Sequence, residues 1–293
     1  MTPRFGSVLT AMVTPFDADG ALDLDAAATL ADWLVSNGSD GLVLCGTTGE
    51  SPVLTESEEV ALTKAVRQAT SVPIILGTGS NDTAWAVAAS RRAAELGVDG
   101  LLVVTPYYNR PPQYGLEAHF RQIAAATDLP VLLYDIPVRT GRKISEDTML
   151  RLFDEVPNIV GLKDAAGSAP ETARLISKAD RRIEVYSGDD ANTLPLLAVG
   201  AVGVISVASH WVGRQMGEMI AAFRKGDVAA ATRINASLIP SYDFEGGDDS
   251  PNPIPTKAML RVLGLPVGQC RMPLGPAPDW VETKAREVLK GLG

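Results

Sequence analysis

Asn158–Gly167 reads NIVGLKDAAG: an apolar run, then a lysine, then a short polar loop. Alternation along an extended chain puts Ile159, Gly161 and Lys163 on one face and Val160 and Leu162 on the other. A charged amine is costly to bury unless it is paired or neutral. Lys163 is therefore either a structural compromise or a group whose chemistry is wanted. With Val160 and Leu162 turned towards a layer of helices, Lys163 points to the opposite side, and Gly161 beneath it leaves room for a long side chain. Of the eight lysines, the other seven stand in polar, helix-like or loop-like surroundings.

The same pattern recurs along the chain. SVLTAMV starts at Ser7, GLVLCG at Gly41, VPIILG at Val72, GLLVVTP at Gly100, LPVLLYD at Leu129, RIEVYSG at Arg182 and AVGVISV at Ala201. With NIVGLKD these make eight runs, starting roughly 20 to 35 residues apart, as β-helix-β units require. Near-continuous apolar runs suit parallel strands buried on both faces. The segments between them look helical. LDLDAAATLADWLVSNG sets Leu30, Trp33 and Leu34 on one face and stops at Asn37-Gly38. Thr55 with Glu58, and Ser168 with Glu171, have capping-box spacing, the second with Pro170 in its first turn. Eight alternations predict an α/β fold, a (β/α)8 TIM barrel, over residues 1–225. An open doubly wound sheet is the alternative, but no GxGxxG follows the first strand. After about Gly226 only helical patterns remain, so residues 226–293 are expected to form a C-terminal helical extension.

Composition narrows the function. The 293 residues are 46% hydrophobic, enough for a large core, and carry a net charge of -9 from 35 acidic and 26 basic side chains. Phosphate binding needs clustered positive charge, so nucleic acid is not expected as a partner. No basic amphipathic segment suggests a membrane surface, and LLAVGAVGVISVA is too short and glycine-rich to span one. MTPRFGSVLTAMVTPF lacks signal-peptide architecture, so a soluble cytoplasmic protein is expected. Cys45 and Cys270 have neither metal-ligand spacing nor a disulfide framework.

The polar residues gather where barrel enzymes keep their active sites, at the C-terminal ends of strands. Strand two runs into GTTGES, four into TPYYNRPP, five into YDIPVRTG, six into KDAAG and seven into SGDD. At an ordinary pKa near 10.4 only about one lysine in a few thousand is neutral at pH 7. An apolar barrel interior favours the neutral, nucleophilic amine that Schiff-base chemistry requires. The alternative is a Lys163 that pairs with Asp164 or reaches solvent. Tyr134 could shuttle protons beside such an amine, or be a core-edge aromatic with a satisfied hydroxyl, and the same choice holds for Tyr108. Thr47 and Thr48 could cradle a carboxylate or merely form a tight turn. Arg139 could grip a second carboxylate in bidentate fashion. His119 and His210 suit packing roles. Asp189 and Asp190 have no supporting metal ligands and read as a helix-capping loop.

Together GTTGES, TPYYNRP, YDIPVRTG, VGLKDAAG, SGDD, GVISV and NPIPTK resemble, in order and over nearly the whole chain, the dihydrodipicolinate synthase family. That family lies within the pyruvate-dependent class I aldolases, which include N-acetylneuraminate lyase. The resemblance implies a (β/α)8 barrel, commonly a homotetramer, that condenses pyruvate with L-aspartate 4-semialdehyde. The product is 4-hydroxy-tetrahydrodipicolinate, for lysine and diaminopimelate synthesis. It also implies Lys163 as the Schiff-base lysine and Tyr134 as general acid/base, with Thr47 in the proton relay and Tyr108 completing it from a neighbouring subunit. Thr48 matches the pyruvate-carboxylate position and Arg139 the arginine that holds the semialdehyde. Gly188 and Ile205 match positions that lend backbone to the pocket. No metal or organic cofactor is implied. Where some members carry lysine-inhibition residues this chain has Glu56, Glu59 and Trp85, and Ser250 replaces a frequent glutamate. Two other readings are a sugar-acid lyase or dehydratase using the same Schiff base, and a non-catalytic barrel that binds a 2-oxo acid.

Overall fold

The computed structural model describes residues 3–179 and 183–292. Eight parallel strands of four to six residues follow one another in chain order around a closed barrel, which excludes the open-sheet alternative. They are β1 (Val8–Ala11), β2 (Gly41–Leu44), β3 (Ile74–Gly77), β4 (Gly100–Val104), β5 (Val131–Asp135), β6 (Ile159–Asp164), β7 (Glu184–Ser187) and β8 (Gly203–Ser206). Each lies within its predicted run. The run expected from Arg182 begins outside the described residues, and its strand starts at Glu184.

Helices alternate with the strands: α1 (Leu24–Ser36), α2 (Glu56–Ala69), α3 (Thr83–Glu95), α4 (Gln113–Ala124), the short α5 (Pro137–Thr140), α6 (Glu146–Glu155), α7 (Ala169–Lys178) and α8 (Thr193–Ala198). α1 buries Leu30 and Leu34, while Trp33 is half-buried with its indole N–H donated to the His210 carbonyl. Each fully buried leucine contributes roughly 2 kcal/mol. At Thr55 both bonds of the capping box form. At Ser168 the expected box does not: the Ser168 side chain makes no cap bond, and the Glu171 carboxylate pairs instead with Lys143 at 3.0 Å. An ion pair across a groove has displaced a local cap.

Two compact units divide the chain. One holds Pro73–Ile205 with the N-terminal residues up to Arg4, and the other Phe5–Val72 with the chain from Ser206 onward. In the first, β5 and β6 pair with Tyr134 opposite Lys163 and Asp135 opposite Asp164, after an irregularity that leaves Val160 unpaired. In the second, Thr10 on β1 bridges Ser39 and Ser209 through hydroxyls at 2.5 and 2.7 Å. From Ser209 onward that unit is helical: α9 (Ser209–Arg224), α10 (Val228–Glu245), α11 (Ile254–Val262) and α12 (Asp279–Gly291). Phe244, Met259, Val281 and Val288 form a shared core there, with Trp211 edge-on to Phe244.

Candidate active site

Lys163 and Tyr134 are register partners one residue from the ends of adjacent strands, and both are almost fully buried, at 6% and 5% exposure. The Lys163 Nζ lies 4.3 Å from the centre of the Tyr134 ring. Period-two alternation produces this contact: Leu162 and Asp164 face a groove walled by α6 and α7, so Lys163 faces the other way. Asp164 is not its partner. One Asp164 oxygen accepts the Ala166 N–H at 3.0 Å and the other the Thr172 hydroxyl at 2.5 Å.

The space for the lysine comes from a different glycine than expected. A Cβ on Gly161 would strike the Glu184 carbonyl of β7, its oxygen at 2.0 Å, and would meet the Leu132 side chain at 3.1 Å. Gly161 lets two strands approach. Gly188, just past β7, is the glycine that borders the lysine: a Cβ there would stand 2.9 Å from the Ala165 Cβ and 3.0 and 3.1 Å from Cγ and Cε of Lys163. Ile205 is buried on β8. Asp189 caps the one-turn helix Asp190–Asn192 by accepting the Ala191 N–H, the capping role read from SGDD.

Arg139 is exposed on α5, five residues past Tyr134. Tyr108 is 89% exposed, with φ of +70° at the centre of a tight turn closed by the Asn109 N–H on the Tyr107 carbonyl. Positive φ is uncommon for a bulky residue and marks a conformation its surroundings impose.

The GTTGES loop belongs to the second unit. Thr47 is half-buried, and its carbonyl accepts the Glu50 N–H. Thr48 is buried, and its Oγ1 accepts from the Asn252 amide at 2.9 Å. The Thr256 hydroxyl donates to the other end of that amide, fixing its orientation. With its oxygen already accepting, the Thr48 hydroxyl is left to donate its proton, as a carboxylate requires.

Lys257 overturns the expectation that only Lys163 is buried. It is 0% exposed, and burial pulls its amine below the ordinary lysine range while Glu50 opposes that pull. Its Nζ lies 2.6 Å from Glu50 and donates to the Gln269 carbonyl at 3.0 Å. The other Glu50 oxygen accepts the Arg271 N–H at 2.9 Å, and Lys257 and Arg271 both lie over the Phe16 ring. Both amines lie over an aromatic ring, but that of Lys257 is also committed to an ion pair. Glu50, Asn252 and Lys257 support the loop but escaped the sequence reading, although GTTGES and NPIPTK contain them.

His119 and His210 are buried and hydrogen-bonded, to the Thr83 hydroxyl and to the Val207 carbonyl and Val13 N–H. Both have packing surroundings, as expected. Cys45 and Cys270 are free and buried. Among the described residues no three His, Cys, Asp or Glu side chains cluster as metal ligands, and no helix is long and apolar enough to cross a membrane.

A closed (β/α)8 barrel with a buried lysine stacked on a strand-end tyrosine defines a class of barrel equipped for amine-based carbonyl chemistry. The chain belongs to the dihydrodipicolinate synthetase family, whose model matches residues 4–292. It is 52% identical over 292 residues to the 4-hydroxy-tetrahydrodipicolinate synthase of Thermosynechococcus vestitus, covering 99% of this chain and 98% of that one. The enzyme of the same name from Moorella thermoacetica is 49% identical, covering 99% of each. Among solved structures, a dihydrodipicolinate synthase of Bacillus anthracis superposes with a TM-score of 0.94 at 43% identity, covering 99% of both chains. The lysine-bound enzyme of Cyanidioschyzon merolae superposes with a TM-score of 0.95 at 45% identity, covering 99% of this chain and 98% of that one.

Proposed function

We propose that this protein is a 4-hydroxy-tetrahydrodipicolinate synthase, a lyase that condenses pyruvate with L-aspartate 4-semialdehyde. The observation that carries this reading is Lys163 Nζ placed over Tyr134, in a chain about half identical to synthases of that name. The Lys163 amine adds to C2 of pyruvate and water leaves, giving an iminium. The iminium draws electrons from C3, so loss of a C3 proton gives an enamine without a metal or organic cofactor. The enamine C3 attacks the aldehyde carbon of the second substrate, and the resulting alkoxide takes a proton. The substrate's own amine then attacks C2, closes the ring and releases Lys163.

Tyr134 carries the protons, with Thr47 and, from a neighbouring copy in a homotetramer, Tyr108 as its relay. Thr48 holds the pyruvate carboxylate and Arg139 the semialdehyde carboxylate. Gly188 and Ile205 line the pocket with backbone. The role of Tyr108 is supported by its exposure and imposed φ, that of Thr48 by its donor-ready hydroxyl. Residues 1–225 form the catalytic barrel and 226–293 its helical extension, in a cytoplasmic enzyme of lysine and diaminopimelate synthesis.

Incubation with pyruvate and borohydride, followed by peptide mass spectrometry, tests the shared chemistry. A reduced pyruvyl adduct is expected on Lys163, and its absence would sink the reading. A coupled assay then compares aspartate semialdehyde with N-acetylneuraminate and keto-deoxy sugar acids. Turnover of a sugar acid alone would replace the synthase with a sugar-acid lyase.

A further inference from the structure

One residue beyond Tyr134 and one beyond Lys163 stand two carboxylates, Asp135 and Asp164, register partners that face the helices. They share a cavity of about 220 Å³ with Leu162, Lys143, Glu171 and Thr172. Both Asp164 oxygens accept hydrogen bonds, but Asp135, wholly buried, is only half satisfied. Its Oδ1 accepts the Ile144 N–H at 3.2 Å, while Oδ2 has no hydrogen bond and faces the Lys143 ammonium at 3.6 Å. Lys143 reaches on to Glu171 at 3.0 Å. The Asp135 carbonyl accepts the Ala165 N–H at 3.0 Å, tying down the chain just past Lys163.

These contacts close a short excursion of the chain. It leaves β5 at Asp135, makes the α5 turn that carries Arg139, and returns to Asp135 through Lys143 and Ile144. Inside it the Thr140 hydroxyl contacts the Ile136 and Arg142 carbonyls, so the turn is stiff and its ends are set by Asp135. A carboxylate is an expensive clasp in this place. A neutral amide of the same shape would keep the Ile144 bond without a buried charge, but it could not hold the Lys143 ammonium.

We propose that ionised Asp135 is a positioning residue: by clasping Lys143 and Ile144 it holds Arg139 at a fixed offset from Tyr134, so that the second substrate's carboxylate is gripped where its aldehyde can react. This rests on the reading of Arg139 given above. Burial, the larger effect, pushes the Asp135 carboxyl up to about 6, Asp164 adds to that, and Ile144 and Lys143 oppose it. The other charged groups lining the cavity, Glu146, Glu171 and Arg174, have exposed or partly exposed side chains. Glu146 is held by Lys178 and Arg174. His119 and His210 are pushed down to about 4 by burial and do not change charge near pH 6. Protonating Asp135 releases Lys143, so the grip on the second substrate weakens on the acid side of pH 6.

The test compares wild type, Asp135→Asn and Lys143→Met between pH 5.5 and 8. In wild type the KM for aspartate semialdehyde is expected to rise about 3- to 10-fold towards pH 5.5, the effect of loosening one charge-assisted contact. At any one pH the borohydride-trapped pyruvate adduct should form as fast in both variants as in wild type. Both variants should show the raised KM at every pH, and neither should worsen the KM of Arg139→Ala when combined with it. A merely structural role would add to Arg139→Ala and would slow adduct formation too. Wild type that traps pyruvate but has a pH-independent semialdehyde KM, or an Asp135→Asn profile superimposed on that of wild type, overturns this inference alone. Should Asp135→Asn not fold, Lys143→Met with a wild-type profile does the same. Failure of wild type to trap pyruvate overturns the functional reading and this inference with it.

Discussion

Lys257 and Glu50, 207 positions apart in sequence, meet at 2.6 Å with both side chains shut off from water. The pair joins α11 to the residue that ends the GTTGES turn, where Glu50 has φ of +56°. Removing one partner strands the other charge. Lys257→Met or Glu50→Gln is therefore expected to destabilise the protein by about 3–5 kcal/mol, whereas the double variant recovers part of that loss. Denaturant melts of the four proteins would measure the coupling; additive losses would show that the pair does not act as a unit.

Asn252 should act on pyruvate and not on the second substrate. Its amide occupies the Thr48 oxygen and so directs the Thr48 proton outward. Asn252→Ala is expected to raise the pyruvate KM about tenfold with little change in semialdehyde KM, the cost of one hydrogen bond to a charged group. Equal effects on both substrates would count against that division.

The two glycines near Lys163 should fail differently. Gly161→Ala drives a methyl into the Glu184 carbonyl and should lower thermal stability, because backbone cannot move aside cheaply. Gly188→Ala meets the flexible stem of Lys163 and the Ala165 side chain instead. It should lose less thermal stability than Gly161→Ala, because its nearest contact is 2.9 Å and not 2.0 Å, yet trap pyruvate at least several-fold more slowly. Swapped outcomes would show that the space has been assigned to the wrong glycine.

At the reacting pair, Lys163→Ala should leave no trapped adduct at all. Tyr134→Phe keeps the ring that Lys163 lies over and removes only the hydroxyl, so the adduct should form while turnover drops roughly 10²- to 10⁴-fold, the range of general acid–base catalysis. Wild-type turnover in the phenylalanine variant would move the proton carrier elsewhere.

Acid should weaken the fold between pH 6.5 and 4. Burial lowers His119 and His210 from 6.5 to about 4, so the unfolded chain binds those protons first and stability falls as pH drops through that window. Asp135, raised from 3.8 to about 6, takes its proton first in the folded state and opposes the trend. Two groups act against one, and a net loss on the order of a few kcal/mol is expected. By the same sign, Asp135→Asn should be more stable than wild type at pH 7.5, the gap closing near pH 4. Thermal melts across that range read both effects, and a wild-type midpoint that rises on acidification would refute the histidine assignment.

Much of this was legible in the order of residues. Eight apolar runs at regular spacing require parallel strands with crossovers, because such strands need a long connection and bury both faces. The Thr55 box is local, and it formed. The Ser168 box is equally local, yet Glu171 had a distant competitor in Lys143, and spacing carries no information about that. Gly161 and Gly188 differ for the same reason: each makes room for an atom of another strand or turn, and only the packed barrel says which.

Chain order alone settles the strands, their alternation and hence the side of the sheet to which Lys163 turns, since period and polarity are properties of neighbours along the chain. Packing set which buried lysine meets a carboxylate: both lie over an aromatic ring, but only Lys257 is ion-paired, with Glu50, while the Asp164 next to Lys163 is bonded elsewhere. Lys257 looked like an ordinary helical lysine because its carboxylate partner lies 207 residues away, and Lys163 looked exceptional because its apolar neighbours are adjacent. Charge is settled by what approaches within a few ångströms, and chain order fixes that distance only for residues close in sequence.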